Sequence, residues 1–323
     1  MTSVTSALEG STPGITVTGN YGSPGSDPTV LIRGIGTVNG STSPLYVIDG
    51  VPYGGNISDL NMEDIETMSI LKDAASAALY GNRASNGVIL ITTKKSKSER
   101  IQFNFKTNQG WYERALPEYE RTNPFQFMEV EYQNAANAFV HGGGDRTDKQ
   151  AILNAVNSTL IPDRLYVNIF NKPDDQLFTL DGKMAADASI IDGYAGDLDW
   201  FDQATRKGYR SEYQFSGSGA TSKSDYYFSL SYLDENGYMK DSGFDRLTGR
   251  MAVNIKPVKW LRAGMSINAS HQKFQNTSNG VGDGSSSYSN PFYFCRYMAP
   301  IYPVHSHYTE TGTVYDNAGT PYR

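Results

Sequence analysis

The sequence predicts a compact α+β domain followed by about five long antiparallel strands. Three observations carry this prediction. Short apolar runs separated by glycine turns and one alanine-rich run fill the first hundred residues. Strict two-residue alternation of apolar and polar side chains begins after Arg100 and returns four times later. The connections between the alternating runs are unequal, long ones trading with tight ones.

In the first part, Ile15 to Thr18 alternates as a strand, and residues 22–26 form a Gly/Ser/Pro turn. Val30 to Arg33 reads as a second strand, ending at Gly34. Gly34, Gly36 and Gly40 lack the spacing of a dinucleotide-binding loop and no helix follows, so they read as a glycine-rich turn. Leu45 to Ile48 is a short apolar strand stopped by Asp49-Gly50, a hairpin turn pair. Met68 to Leu71 is a further strand. Asp73 to Leu79 is a helical turn that Asp73 can cap, with Gly81 suited to a left-handed exit. Val88 to Ile91 is a buried strand entered through Asn86-Gly87.

After Arg100, Ile101, Phe103, Phe105, Thr107 and Trp111 oppose Gln102, Asn104, Lys106 and Asn108. The later runs repeat the pattern. Tyr213 and Phe215 oppose Glu212, Gln214, Ser216 and Ser218. Tyr226, Phe228, Leu230 and Tyr232 oppose Asp225, Ser229 and Ser231. Leu247, Met251, Val253 and Ile255 oppose Arg246, Thr248, Arg250 and Asn254. Leu261, Ala263, Met265, Ile267 and Ala269 oppose Arg262, Ser266, Asn268 and Ser270. Each run extends to about 9–11 residues, the length at which a tilted strand crosses hydrocarbon. Trp111-Tyr112, Tyr226-Tyr227 and Trp260 sit near strand ends, as an interfacial aromatic belt requires. Alternation by itself fits a soluble sandwich equally well, since both have one wet and one dry face.

The compact N-terminal segment and the connections together decide between them. Arg114 to Tyr209 is long, Ala220 to Ser224 tight, Asn236 to Gly243 medium, Lys256 to Lys259 tight, and the chain after Phe274 long again. That is the rhythm of a barrel with short turns on one side and long loops on the other. Within the long excursion, Asn123-Pro124 starts a helix carrying Phe125, Met128, Tyr132, Ala135 and Phe139 at helical spacing. Gly142-Gly143-Gly144 ends it, and Thr147 to Leu160 forms a second.

Composition narrows the function. A net charge of −6 with no basic cluster argues against a nucleic-acid partner. One cysteine, Cys295, excludes an internal disulfide. No run of about 18 apolar residues exists, which excludes a spanning helix but not spanning strands. No nucleophile elbow, HExxH or phosphate loop is present, so an enzyme is not expected and no catalytic residue or cofactor is assigned. Asp197-x-Asp199-x-x-Asp202 lacks the glycine and distal glutamate of a calcium loop, Asp174-Asp175 reads as a turn, and His305-x-His307 is at most half a metal site. No metal site is assigned.

At "IRGIGT", "PLYVIDGVP", "LKDAASAALYG" and "NGVILITTK", in this order, the chain resembles the plug domain of TonB-dependent outer-membrane transporters of SusC/RagA type. The run from Leu198 through Gly264 also resembles the first barrel strands of that type. The resemblance implies an α+β plug domain at residues 1–97, then antiparallel transmembrane β-barrel strands at 98–323, with a long external loop at about 113–209. The barrel is incomplete, about five strands of one with about 22. Carried onto this sequence, the plug motif with a structural and gating role comprises Arg33, Gly34, Pro44, Tyr46, Asp49, Gly50, Pro52, Leu71, Lys72, Asp73, Tyr80, Gly81, Asn86 and Gly87. Lys106, Asp225, Arg250 and Arg262 are expected to face the lumen and bond the plug rather than define a substrate site.

The implied function is active import across the outer membrane of a Gram-negative, Bacteroidetes-like bacterium. The cargo is glycan oligosaccharide before peptide. The implied partners are TonB with its ExbB–ExbD energising complex, a SusD-like lipoprotein lid and membrane lipid. With only five strands the chain is expected to be a fragment that does not transport alone. Two other readings stand beside this one: a siderophore or cobalamin receptor with the same plug, and a soluble β-rich binding or adhesion protein.

Overall fold

The computed structural model describes residues 4–10, 13–18, 24–26, 28–35, 42–73, 78–96, 98–114, 117–275, 291–307 and 314–315. The chain divides into two units, Met1–Arg114 with Arg206–Thr277, and Ala115–Thr205 with Ser278–Arg323.

The first unit opens with the hairpin β1 (Ile15–Thr18) and β2 (Thr29–Ile32). A four-stranded sheet follows, built from β3 (Leu45–Ile48), β4 (Val51–Tyr53), β5 (Ile65–Leu71) and β6 (Val88–Thr93) in the order β4-β3-β6-β5. β3 and β4 join through Asp49 (φ 49°) and Gly50 (φ 90°), the paired positive angles of a type I′ turn. β6 runs parallel to β3 and antiparallel to β5, and is buried because sheet neighbours cover both its edges. Val88 and Ile89 are fully buried. One face packs Ile89 and Ile91 on Val30, Ile32, Ile57 and Leu60; the other packs Val88 on Val47 and Ala84. Gly87 is required where it stands: its φ is 90°, and an added Cβ would lie 2.7 Å from Ile32 Cδ1. Gly81, at φ 64°, breaks a pair of 3₁₀ turns over Ala78–Ala84. The middle of the expected helix at 73–79, with Gly36 and Gly40, lies outside the described residues. Arg33, placed in a strand by the sequence, is outside β2 with φ 60°.

The alternating runs form one antiparallel sheet in the order β11-β10-β9-β8-β7. The strands are β7 (Gln102–Tyr112), β8 (Gly208–Ala220), β9 (Ser224–Asn236), β10 (Gly243–Val258) and β11 (Leu261–Gln275). Their faces are inverted relative to a soluble sandwich. Phe105 is 69% exposed, Leu230 55%, Met251 50% and Ile267 52%, while Ser231 is 2% exposed and Arg246 4%. The apolar face looks out and the polar face looks in. On the outer face Phe103, Phe215 and Phe228 form a ring cluster, with Phe103 and Phe215 stacked at 6.0 Å. Tyr227 departs from the expected aromatic belt. Successive side chains on a strand point to opposite faces, so Tyr226 and Tyr227 cannot share one, and Tyr227 is buried on the inner face. β10 runs on to Val258, so the tight turn is Lys259-Trp260.

The second unit is helical around its own core of Met128, Tyr132, Val156, Leu160, Ile169, Leu177, Tyr194 and Ile301. Helix α1 (Pro124–His141) starts in a capping box in which Asn123 and Gln126 each accept from the other's backbone N–H. Gly142 stops it. Helix α2 (Lys149–Thr159) is capped by Asp148, and a π turn follows at Leu160–Leu165. Three short helices, α3 (Asp192–Ala195), α4 (Trp200–Ala204) and α5 (Pro291–Tyr297), and the pair β12 (Ser306–His307) and β13 (Val314–Tyr315) complete it.

Candidate functional site

Inside the first unit, the N-terminal domain is bonded to the polar face of the five-stranded sheet. The register sets up that face. Lys106, Gln214, Ser231, Thr248 and Ser270 stand opposite one another across the five strands. This row of mostly small polar side chains lets a folded domain approach closely.

The domain meets the row with the 3₁₀ turns at Ile57–Asp59 and Met62–Asp64 and the end of β6. Asn61 caps the second turn, accepting from the Glu63 N–H at 2.9 Å, and its Nδ2 donates to Ser231 Oγ at 2.9 Å. Ser231 in turn bonds Thr248 Oγ1 at 2.6 Å. Buried Asp64 accepts from the Tyr227 hydroxyl at 2.8 Å and from Gln214 Nε2 at 3.4 Å. Arg246 Nη1 donates to the carbonyls of Ser58 (2.8 Å) and Leu60 (3.2 Å). Gln272 Nε2 donates to Asp59 Oδ1 at 3.0 Å, whose other oxygen accepts from Tyr53 at 3.1 Å. Burial, reinforced by the Asp59 carboxylate, pushes the Tyr53 hydroxyl up to about 12, which keeps it a donor to Asp59. Lys106 on β7 bridges to Glu63.

Arg250 occupies the centre. Its buried guanidinium donates to Lys94 O at 3.2 Å and to Thr93 Oγ1, lies 3.7 Å from Asp49 Oδ2, and covers the Tyr227 ring at 5.3 Å. Asp49 is held for this by the turn and by Thr93, whose N–H donates to Asp49 Oδ1 at 3.0 Å and whose hydroxyl donates to Oδ2.

Of the residues singled out from sequence, Asp49, Lys106 and Arg250 therefore meet at the interface. Asp225 accepts from Asn254 Nδ2 on the neighbouring strand at 2.7 Å, and Arg262 is exposed near the start of β11. Arg33 pairs with Asp73 at 2.8 Å on the domain surface, so Asp73 is engaged there. Lys72 donates to Pro13 O, and Asn86 to Ser43 O at 3.3 Å. Tyr46, Leu71 and Tyr80 pack into the domain cores, Pro44 is buried, and Gly34 is exposed at φ 85°. Pro52 lies in exposed backbone of β4, paired with Val47. Sequence reading did not single out Asn61, Asp64 or Gln272, placed Tyr227 in the aromatic belt, and gave Arg246 only as one of a polar face. The polar-face parity of β9 to β11 was the available signal for Tyr227, Arg246 and Gln272.

In the second unit, Asp197 and Asp199 are used structurally. Asp199 caps α4. The Asp197 carboxylate lies between His305 Nδ1 (2.6 Å) and His307 Nε2 (2.8 Å) and accepts the His305 N–H at 2.8 Å. Burial pushes the Asp197 carboxyl up, but the hydrogen bonds from His307 and from the amide and ring of His305 outweigh it and hold it below the usual carboxylate range. His307 stacks on Tyr194 at 4.3 Å. Among the described residues no group of three or more His, Cys, Asp or Glu is arranged to hold a metal.

A folded domain bonded to the wet face of a sheet whose other face is apolar and exposed is the arrangement of a plug against a stretch of barrel wall. Residues 1–88 match the TonB-dependent receptor plug domain family. Over 318 residues the chain is 30% identical to the TonB-dependent receptor SusC of Bacteroides thetaiotaomicron, covering 96% of this chain and 26% of that protein. It is 29% identical over 282 residues to the TonB-dependent receptor P39 of Formosa agariphila, covering 86% of this chain and 22% of that one. Among solved structures it resembles the RagAB peptide transporter at 24% identity and a TM-score of 0.63, over 90% of this chain and 31% of that one. The chain is of the SusC/RagA type of TonB-dependent receptor. It spans about a quarter of the length of the curated relatives it matches.

Proposed function

We propose that the chain supplies the plug and first wall strands of an active importer in the outer membrane of a Gram-negative, Bacteroidetes-like bacterium. The cargo is a nutrient oligosaccharide or peptide. The carrying observation is the inverted sheet, apolar toward the surroundings and polar toward the domain. The strands run 11 to 16 residues, enough to cross hydrocarbon with tilt. Their outer Phe, Leu, Met and Ile side chains are suited to lipid.

The polar joint suits gating. Each of its neutral hydrogen bonds is worth about 0.5–1.5 kcal/mol net and each from a charged group about 1.5–3, because water replaces it when it opens. Such a joint yields stepwise to a pulling force, whereas an apolar joint of the same area would have to expose its whole surface to water. The energising partner in this reading is TonB with ExbB–ExbD, pulling from the periplasmic side, and a SusD-like lipoprotein covers the outer side. The plug is then a two-state element biased by that pull.

The test is a reversible tether between plug and wall. Asn61→Cys and Ser231→Cys, whose parent side chains are bonded, are joined by a short bis-methanethiosulfonate linker in the complete receptor in cells. Uptake of labelled oligosaccharides and peptides is then followed. The tether should abolish uptake and reductant should restore it, and the class of label imported identifies the cargo. Full-rate import with the tether in place would refute a moving plug.

A further inference from the structure

Between the Met62–Asp64 turn and strands β7, β8 and β10 lies a cavity of about 500 Å³. Lys106, Arg210 and Arg246 line it against Glu63 and Glu212, so cations outnumber carboxylates three to two. The charges differ in how they are held. Arg210 Nη2 donates to Glu212 Oε2 at 3.1 Å, with side chains only 16% and 9% exposed. Asn108 also reaches that carboxylate, and Arg246 is committed to the carbonyls of Ser58 and Leu60. The Lys106–Glu63 bridge spans the cavity from wall to plug with Lys106 51% exposed. An exposed pair of this kind contributes little stability and exchanges readily.

We propose that this cavity binds a carboxylate-bearing solute. Its carboxylate takes the Lys106 ammonium, displacing Glu63, with the Arg210 guanidinium on the same lining adding to the positive field. Occupation therefore removes one tie between plug and wall and loosens the joint. The inference rests on the importer reading and deepens it by naming the solute class and its coupling to the gate. Uronic-acid sugars and peptide C-termini share this chemistry.

The experiment is isothermal titration of the complete receptor in detergent. The probes are glucuronate against glucose, and N-acetyl-diglycine against its C-terminal amide. At least one acid should bind tenfold or more tighter than its neutral partner, and which acid does so separates sugar from peptide sources. Arg210→Gln should weaken that acid about tenfold. Glu63→Gln should tighten it, because it removes the competing carboxylate, a gain that a merely misfolded variant cannot produce. Neutral probes binding as well as the acids, neither acid binding, or no tightening in Glu63→Gln would overturn the proposal. Binding is read without TonB or energy, so failed uptake leaves this result standing. Import with no preference for acids sinks this inference alone.

Discussion

Replacing Arg250 by Met tests the central contact of the plug–wall joint. The side chain is 3% exposed, and the variant loses charged donors to Lys94 O and Thr93 Oγ1. Each such bond is worth about 1.5–3 kcal/mol. The Asp49 carboxylate at 3.7 Å adds little, since it is beyond hydrogen-bond reach, is 22% exposed, and keeps both Thr93 donors. Against these gains stands Arg250 Nε, buried with no partner among the described residues, at a cost of about 1–3 kcal/mol. The balance is about 2 kcal/mol, or roughly a thirtyfold rise in the undocked population. Thiol labelling at the joint reads this directly. Ser231, 2% exposed beneath the domain, is changed to Cys with and without Arg250→Met, and its labelling should be about thirtyfold faster in the Met background. Hydrogen exchange of the Val47 amide, inside the domain core, should not change. Unchanged labelling at position 231, or equally accelerated exchange at Val47, would refute the reasoning, the second because the domain would be unfolding rather than undocking.

Two further outcomes are expected. At Gly217 an added Cβ would lie 2.4 Å from the Phe228 ring and 3.1 Å from Phe103, so Gly217→Val should destabilise the sheet by about 1–3 kcal/mol; a melting temperature equal to the parent's would contradict the packing of that cluster. Asp197 has its folded-state pKa depressed, so its contribution is present above the unfolded value of about 3.9 and lost as pH falls through the lower folded value. Asp197→Asn should remove that acid dependence, read as intrinsic-rate-corrected exchange of the Val304 and His305 amides between about pH 2.5 and 5, and equal slopes in variant and parent would show that the carboxylate does not anchor the segment.

The elements most legible in the sequence are those set by local periodicity or turn chemistry. Alternation at 101–111 and 225–232 marked strands of the right face, Asp49-Gly50 marked the hairpin, and Asn123-Pro124 marked the start of α1. The interface was legible only in part. Lys106 and Arg250 stand out as charges on polar faces, and both do reach the plug. Asn61 and Asp64 carry no such mark, because their partners Ser231 and Tyr227 are more than 160 residues away and nothing local requires the pairing. Tyr227 shows the opposite failure. An aromatic pair at a strand end suggested the membrane interface, yet strand geometry sends one ring of any adjacent pair inward. His305-x-His307 looked like half a metal site because Asp197, which occupies both rings, lies over 100 residues earlier.

The helical body has a consequence for the order in which the chain completes itself. It leaves β7 after Tyr112 and returns at Gly208, and these two residues are cross-strand partners, so its two ends are one ladder step apart. A body that folds alone with adjacent ends would remove the closure entropy that the long excursion imposes on pairing β7 with β8. Yet that body is completed only by sequence that lies beyond the wall strands. Ile301 is part of its buried core, and Asp197 holds Val304, His305 and His307, all later in the chain than β11. The hairpins β8 to β11 can zip without it, whereas any help it gives to pairing β7 with β8 waits on residues beyond 300.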